Sequence, residues 1–368
     1  MAPDPLRVLI AGGGTGGHIY PALAIGQELK DSRGAELLFV GTARGLESQL
    51  IPKAGYRLKL IRAGQLNQVS LATRLKTIIA LPTGLLQCFG LLRAFRPGVV
   101  IGVGGYASGP MMIAAILRRI PTLAFEPNAI PGMANRLVGR WVNAAAVNFE
   151  PALKFFRGAQ ITGIPVRADF FRLAPRPAGS PPHLLVFGGS QGARALNAAM
   201  PPIIPPLLEQ VPGLTVLHQA GARHAESTLA AYQASGAPSD RWQVAPFLDD
   251  MPRRFEAADL VLSRSGASTV AELCAAGKPA LLVPFPRAAD DHQRGNAEVM
   301  ARAGAAEILP EAELSPAGLS TDRLLIALRT LLADPDRLRR MAENARTLAH
   351  PDAAQRIAAM AADLARRL

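Results

Sequence analysis

Two glycine-rich turns are places where this chain could hold an anion. Gly12-Gly13-Gly14-Thr15-Gly16-Gly17-His18 follows the apolar run LRVLIA and opens the helix-like segment IYPALAIGQELK, so backbone N–H groups at a helix N-terminus would face a negatively charged ligand. The turn fits G-x-G-x-x-G, yet the second apolar run, ELLFVGT, ends in Gly41 and Thr42 rather than the acid a dinucleotide site wants. The Lys-Ser/Thr ending of a Walker loop is missing too. His18, directly after the glycines, is either a structural cap or a general base presented to whatever the loop holds. Gly188-Gly189-Ser190-Gln191-Gly192 repeats the anion-loop logic, with Ser190 adding a hydroxyl and an N–H.

A third group begins at Ser263. The stretch Ser263-Arg264-Ser265-Gly266-Ala267-Ser268-Thr269 turns from DLVL into the helical VAELCAAG, and Glu272 lies one helical turn beyond Ser268. Glu272 could close a capping box with Thr269 or Ser268. It could equally accept two ribose hydroxyls while the preceding N–H groups meet phosphates. After PALLVPF comes Asp290-Asp291-His292-Gln293, and a polar cluster outside a strand's carboxyl end is where open parallel sheets bind ligands.

The elements that must position these residues follow from apolar runs alternating with helix-length segments, the pattern of an α/β fold with parallel sheets flanked by helices. LRVLIAGG, ELLFVGT, GVVIGVGG, TLAFEPN and AAAVNF read as strands of a first half. HLLVFGGSQG, LTVLHQAG, WQVAPF, DLVLSRSG and PALLVPF begin the series again. The glycine turn after the first strand of each half predicts two similar nucleotide-fold domains, with the proline-rich 171–183 segment as a linker or its edge. The last segment, from Ala353, could pack back on either one.

The chain of 368 residues is 49% hydrophobic, 18% charged and 5% aromatic, which excludes disordered and fibrous classes. Cys88 and Cys274 form no metal-ligand or disulfide pattern, and the N-terminus lacks a secretory h-region, so a reducing, cytoplasmic compartment is expected. The net charge of +12 is unevenly placed: between Glu47 and Glu126 there are ten basic residues and no acidic one. Few aromatics and no helix-turn-helix pattern accompany them, which argues against nucleic acid. Within this window Thr77 to Leu92 is uncharged but too short for a span of ~20 apolar residues. It reads either as a core helix with a basic rim, or as a monotopic contact with an anionic leaflet.

In combination these blocks resemble the N-acetylglucosaminyltransferase family of peptidoglycan synthesis, which moves N-acetylglucosamine from UDP-N-acetylglucosamine to undecaprenyl-pyrophosphoryl-N-acetylmuramyl-pentapeptide. The resemblance runs nearly the whole chain through GGGTGGHIYPALAI, GTARGLE, GGYASGP, EPNAIPG, TGIPVR, GGSQGA, RSGAST with Glu272, and PFPRAADDHQRGNA. It departs in the core of the fourth block, where Phe125-Glu126-Pro127-Asn128 replaces the family's usual His-Glu-Gln-Asn.

The resemblance implies a GT-B fold, two Rossmann-like domains facing across a cleft, and inverting transfer without metal or cofactor. Residues 1–166, with 350–368 packing back, would form the acceptor and membrane-contacting domain, and 167–349 the UDP-N-acetylglucosamine domain. His18 is implied as the base, with Glu126 second. Leu248 lies at the uracil and Glu272 at the ribose; Ser190, Ser268, Thr269 and Arg167 meet the diphosphate, and Ala267, Val270 and Ala271 belong to the same donor site. Asn128, His292 and Gln293 hold the sugar. Thr15, Gly16 and Gly17 reach the donor, and Gly14, Thr15, Gly104, Gly105 and Tyr106 the acceptor's pyrophosphate. Arg74, Lys76, Ile78, Ile79, Leu85, Leu86, Phe89 and Arg93 would meet an anionic membrane from the cytoplasmic side of the inner membrane, within a cell-wall synthesis complex. Asp334-Pro335-Asp336 looks like a helix cap rather than a metal motif. The rival readings are another two-domain nucleotide-sugar enzyme, such as a natural-product glycosyltransferase or UDP-N-acetylglucosamine 2-epimerase, and a non-catalytic nucleotide or nucleic-acid binder.

Overall fold

The structure, a computed structural model, describes residues 5–14, 16–43, 45–64, 71–177, 179–314 and 320–366, with the side chains of 71–81, 289 and 320–322 outside that description. The chain divides into two compact units, residues 1–166 with 352–368, and 167–351.

In the first unit β1 (Arg7–Ala11), β2 (Glu36–Gly41), β3 (Leu58–Leu60), β4 (Val99–Gly102), β5 (Thr122–Glu126), β6 (Ala144–Val147) and β7 (Ala159–Ile161) form one sheet in the order β3-β2-β1-β4-β5-β6-β7. Each pairing is parallel. Parallel strands covered on both faces read as continuous apolar runs, and Val8 to Ala11 and Val99 to Ile101 are wholly buried for that reason. Helices α1 (Gly16–Arg33), α2 (Glu47–Lys53), α3 (Leu71–Phe95), α4 (Ser108–Leu117) and α5 (Met133–Val138) make the crossovers. The segment from Thr77 to Leu92 thus lies inside one helix, with Pro82 within it.

The second unit pairs β8 (His183–Phe187), β9 (Thr215–Gln219), β10 (Trp242–Ala245), β11 (Leu260–Ser263), β12 (Ala280–Leu282) and β13 (Ala306–Ile308) in the order β10-β9-β8-β11-β12-β13, again parallel. Its helices are α6 (Arg194–Gln210), α7 (Ala225–Ala234), α8 (Met251–Ala257), α9 (Ala267–Ala276), α10 (His292–Arg302), α11 (Ser320–Leu332) and α12 (Pro335–Thr347). α9 ends on Gly277, whose left-handed φ of 59° lets its N–H return to Cys274 O. Both sheets put their glycine-rich turns after the first strand, at the carboxyl edge where open sheets bind ligands.

The proline-rich 171–183 stretch is not the divide. The unit boundary comes earlier, at Arg167, because Phe170 is buried against Phe255 and Arg176 bonds Asp259, fastening this stretch to the second unit. The last helix, α13 (Ala353–Arg366), packs on α1 and β4 of the first unit through buried Ile357, Ala358 and Ala361. Asp334 caps α12, its carboxylate accepting Arg337 N–H at 2.8 Å.

Candidate active site

In the first unit the chain brings GGGTGG and GGYASGP together. Gly13 N–H donates to Gly104 O at 3.3 Å, and Gly105, at φ +80°, approaches Gly13 so closely that a Cβ there would overlap its carbonyl. A Cβ on Gly14 would meet the Tyr106 ring edge at 3.8 Å, and the half-buried His18 imidazole lies over Gly104. His18, Gly104, Gly105 and Tyr106 therefore converge on one loop system. Thr15 lies outside the described residues.

One expectation for this loop is corrected. Gly14 N–H, assigned to the acceptor's pyrophosphate, donates instead to Glu47 Oε2 at 2.8 Å, while Gly12 N–H is taken by Val40 O. The first turn of α1, opening at Gly16 and Gly17, lies one step on.

Glu126, the second candidate for the base, is also corrected. It closes β5 at 2% exposure, and Oε1 accepts from the backbone and side-chain amides of Asn128 at 2.9 and 3.1 Å. Oε2 accepts from Gly132 N–H at 3.2 Å and from Asn135 Nδ2 at 2.9 Å. Burial pushes its pKa up while these donors pull it down. At 2% exposure and with both oxygens engaged, Glu126 holds the 127–132 turn that carries Asn128, and neither oxygen is without a donor.

On α3, Leu86 is 68% exposed and Arg93 faces solvent. Leu85 and Phe89 lean on the core around Cys88 and Leu92, which corrects their placement among the membrane contacts to partly buried packing. The side chains of Arg74, Lys76, Ile78 and Ile79 lie outside the description. Among the described residues no helix is long and apolar enough to cross a membrane.

In the second unit Ser190 is exposed on the loop after β8. Gly192 and Gly221 pack backbone to backbone there, which fixes the loop against the end of β9. α9 begins at Ala267 with Gly266 as its cap, so Glu272 stands too far along for a capping box and caps nothing. Burial pushes Glu272 up to about 7, with the Arg167 charge acting in the opposite sense. Arg167 is exposed, its guanidinium 5.2 Å over the Phe170 ring. Ser268 and Thr269 keep partial exposure in the first turn. Val270 does not: it is wholly buried and its N–H returns to Gly266 O at 2.9 Å, so it packs rather than binds. Ala271, past the first turn and 8% exposed, does the same.

Gln293 is partly occupied within the protein. Its Oε1 accepts Phe285 N–H at 3.0 Å and its carbonyl accepts Ser265 Oγ–H at 2.8 Å, tying the start of α10 to the β11 and β12 loops. Asp290 and Asp291, both left-handed at φ 54°, turn the chain so that His292 begins that helix. Leu248 turns its side chain inward, leaving its main chain and the exposed Phe247 at the edge after β10. The residues missed from sequence are Thr42, Glu47 and Asn135. The signal available was the acid in GTARGLE, close behind a glycine-ending strand.

Residues 8–147 match the glycosyltransferase family 28 N-terminal domain and residues 183–357 its C-terminal domain. A relative from Anaeromyxobacter sp. strain Fw109-5, described as a UDP-N-acetylglucosamine–N-acetylmuramyl-(pentapeptide) pyrophosphoryl-undecaprenol N-acetylglucosamine transferase, is 44% identical, with 98% of this chain and 94% of that protein covered. One of the same description from Solibacter usitatus is 42% identical, covering 97% and 96%. The crystal structure of Acinetobacter baumannii MurG superposes with a TM-score of 0.82 at 31% identity, covering 98% of this chain and all of the other. The fold is GT-B and the enzyme a hexosyltransferase. This chain belongs to glycosyltransferase family 28 and, within it, to the N-acetylglucosaminyltransferases that make the lipid-linked disaccharide of peptidoglycan.

Proposed function

We propose that the second unit holds UDP-N-acetylglucosamine and the first the lipid-linked muramyl-pentapeptide acceptor. The observation that carries the donor assignment is Glu272: a carboxylate desolvated behind the first turn of α9, at the carboxyl edge of the sheet, with Arg167 acting on its charge. Such a group serves a ligand with paired hydroxyls, so Glu272 accepts the ribose. The first-turn N–H groups of Ala267, Ser268 and Thr269, together with Ser190, take the diphosphate. Arg167 meets the charge that develops on the leaving phosphate, where a guanidinium fork is most effective. The main chain at Leu248 reads the uracil, and His292 and Gln293 hold the sugar.

On the acceptor side, the first turn of α1 and the Gly104–Gly105 turn bind the pyrophosphate. His18, beside both, takes the proton of the acceptor's C4 hydroxyl as its oxygen attacks the anomeric carbon opposite UDP, and inversion follows. Peripheral attachment to the cytoplasmic face of the plasma membrane serves a lipid-linked substrate. It draws on α3 with exposed Leu86 and Arg93, and on α4, which packs on α3 and exposes Leu117 at its end with Arg118 and Arg119 following. Its setting is a complex of cell-wall synthesis.

The test is release of UDP from UDP-N-acetylglucosamine with and without a short-chain analogue of the acceptor. Release only with the acceptor is expected. Release without it overturns the transferase reading of the two units.

A further inference from the structure

Glu47 is a buried acid beside the first glycine loop, and no step above uses it. It opens α2 at 1% exposure. Its Oε2 accepts Gly14 N–H at 2.8 Å, and Oε1 accepts both the N–H and the hydroxyl of Thr42, at 2.9 and 2.8 Å. Gly13, Gly41 and Gly45 crowd the same carboxylate so closely that a Cβ on any of them would overlap it. Burial alone would raise its pKa, but the hydrogen bonds from Gly14 and Thr42 outweigh that and hold it below the ordinary carboxylate value. An anion therefore sits inside the loop at neutral pH.

A glycine loop between a first strand and its helix is where nucleotide folds seat a phosphate. Here Gly14, whose N–H would serve that seat, already donates to a carboxylate of the protein itself. We infer that Glu47 is an internal anion that fills the seat of the first glycine loop and thereby sets the acceptor's pyrophosphate one step outward, on the start of α1 beside His18. Glu47 is then a positioning residue for the transfer. The inference rests on the assignment of this loop to the acceptor.

Glu47→Gln keeps the size and removes the charge, and its amide nitrogen opposes Gly14 N–H, so that donor turns outward and a second seat opens. The acceptor then binds out of register: kcat falls ~10²-fold, as expected for a misplacement of about 1 Å, while the acceptor KM stays level or drops. Inorganic pyrophosphate, at saturating UDP-N-acetylglucosamine, becomes a stronger competitor of the acceptor than in the unaltered enzyme. Glu47→Asp keeps the charge and recovers much of the lost kcat. An unchanged melting transition and circular dichroism spectrum report that each variant is folded, and unchanged UDP affinity that the second unit is undisturbed. Should Glu47→Gln not fold, Thr42→Val, which removes one bond to the same carboxylate, is expected to lower kcat by a smaller factor with the acceptor KM level.

An unaltered kcat, or a raised acceptor KM with kcat level, overturns the positioning role. Gly105→Ala keeps the two readings apart, because it presses on Gly13 without touching the charge. If it raises the acceptor KM while Glu47→Gln changes nothing, only the role of Glu47 falls. If it shifts the donor KM instead, the acceptor assignment of the loop falls.

Discussion

The Asn135 side-chain amide donates to Glu126 Oε2 at 2.9 Å, and both residues are buried. The same nitrogen also bonds Phe125 O at 2.9 Å, so one amide ties α5 to the end of β5 and helps hold a carboxylate with no access to water. Leaving a buried acceptor without its donor costs about 1–3 kcal/mol. Asn135→Ala should therefore lower the melting temperature measurably. Asn135→Asp should do worse, and increasingly so as pH rises through the carboxylate range, because two facing acids hold on to protons that the unfolded chain releases. Melting curves at acidic and neutral pH decide it: equal losses for the two variants at both values would remove Glu126 as the cause.

Glu272 trades stability for binding. Below the ordinary carboxylate value it is neutral in the folded and the unfolded chain and has no effect on stability. From there up to about 7 the unfolded chain releases a proton that the folded chain keeps, so stability falls with pH and the penalty is complete above that value. Glu272→Gln removes the titration and should stabilise the unliganded enzyme at pH 8 by about 1–3 kcal/mol, with little change at pH 4. The same substitution should raise the KM for UDP-N-acetylglucosamine about tenfold, since the ribose loses a charged acceptor. In the unaltered enzyme that KM should climb as pH drops below about 7. A donor KM insensitive to both the substitution and the pH removes Glu272 from the ribose.

The strands legible in the sequence are those buried on both faces. Val8 to Ala11 and Leu184 to Phe187 announce themselves as apolar runs ending in glycine. β3, β7 and β13 are three-residue edge strands; β3 is mostly exposed and carries no usable period. α6 runs as a helix through Pro201, Pro202, Pro205 and Pro206, which local rules would break, because Ile203, Ile204, Leu207 and Leu208 bury one side of it in the core. At the site, local chemistry was readable: glycines, His18, Ser268 and Glu272 declare themselves by what flanks them. Partnerships across the chain were not. Gly14 and Glu47 meet over 33 positions, and nothing near Gly14 says that its N–H is already taken.

His18 stands over Gly104 at the start of α1, beside the N–H groups that meet the acceptor's pyrophosphate in the proposed reaction. A base there acts on the acceptor hydroxyl and has no part in holding the nucleotide. His18→Ala should lower kcat by ~10²–10⁴ while UDP affinity barely moves. His18→Gln, which keeps the packing over Gly104 but accepts no proton, should be as slow. If the glutamine variant recovers the rate, the ring acts by shape and the proton leaves by another route.

Among the described side chains of α3, Leu86 is the large apolar one exposed most, and Arg93 follows it two turns later. A helix lying on a leaflet needs apolar insertion together with basic attraction, and neither signal alone gives stable attachment. Leu86→Asp should weaken binding to vesicles containing anionic lipid without changing the melting temperature, since that side chain contributes little to the core. Arg93→Glu should do the same through charge, at ~1 kcal/mol for each basic residue near the surface, and high salt should reduce binding of the unaltered enzyme but not add to the loss in this variant to the same extent. Turnover of a water-soluble acceptor should be unaffected by either change. Vesicle binding indifferent to Leu86→Asp, to Arg93→Glu and to salt would assign α3 to the fold alone and leave the lipid-linked substrate to be reached by another surface.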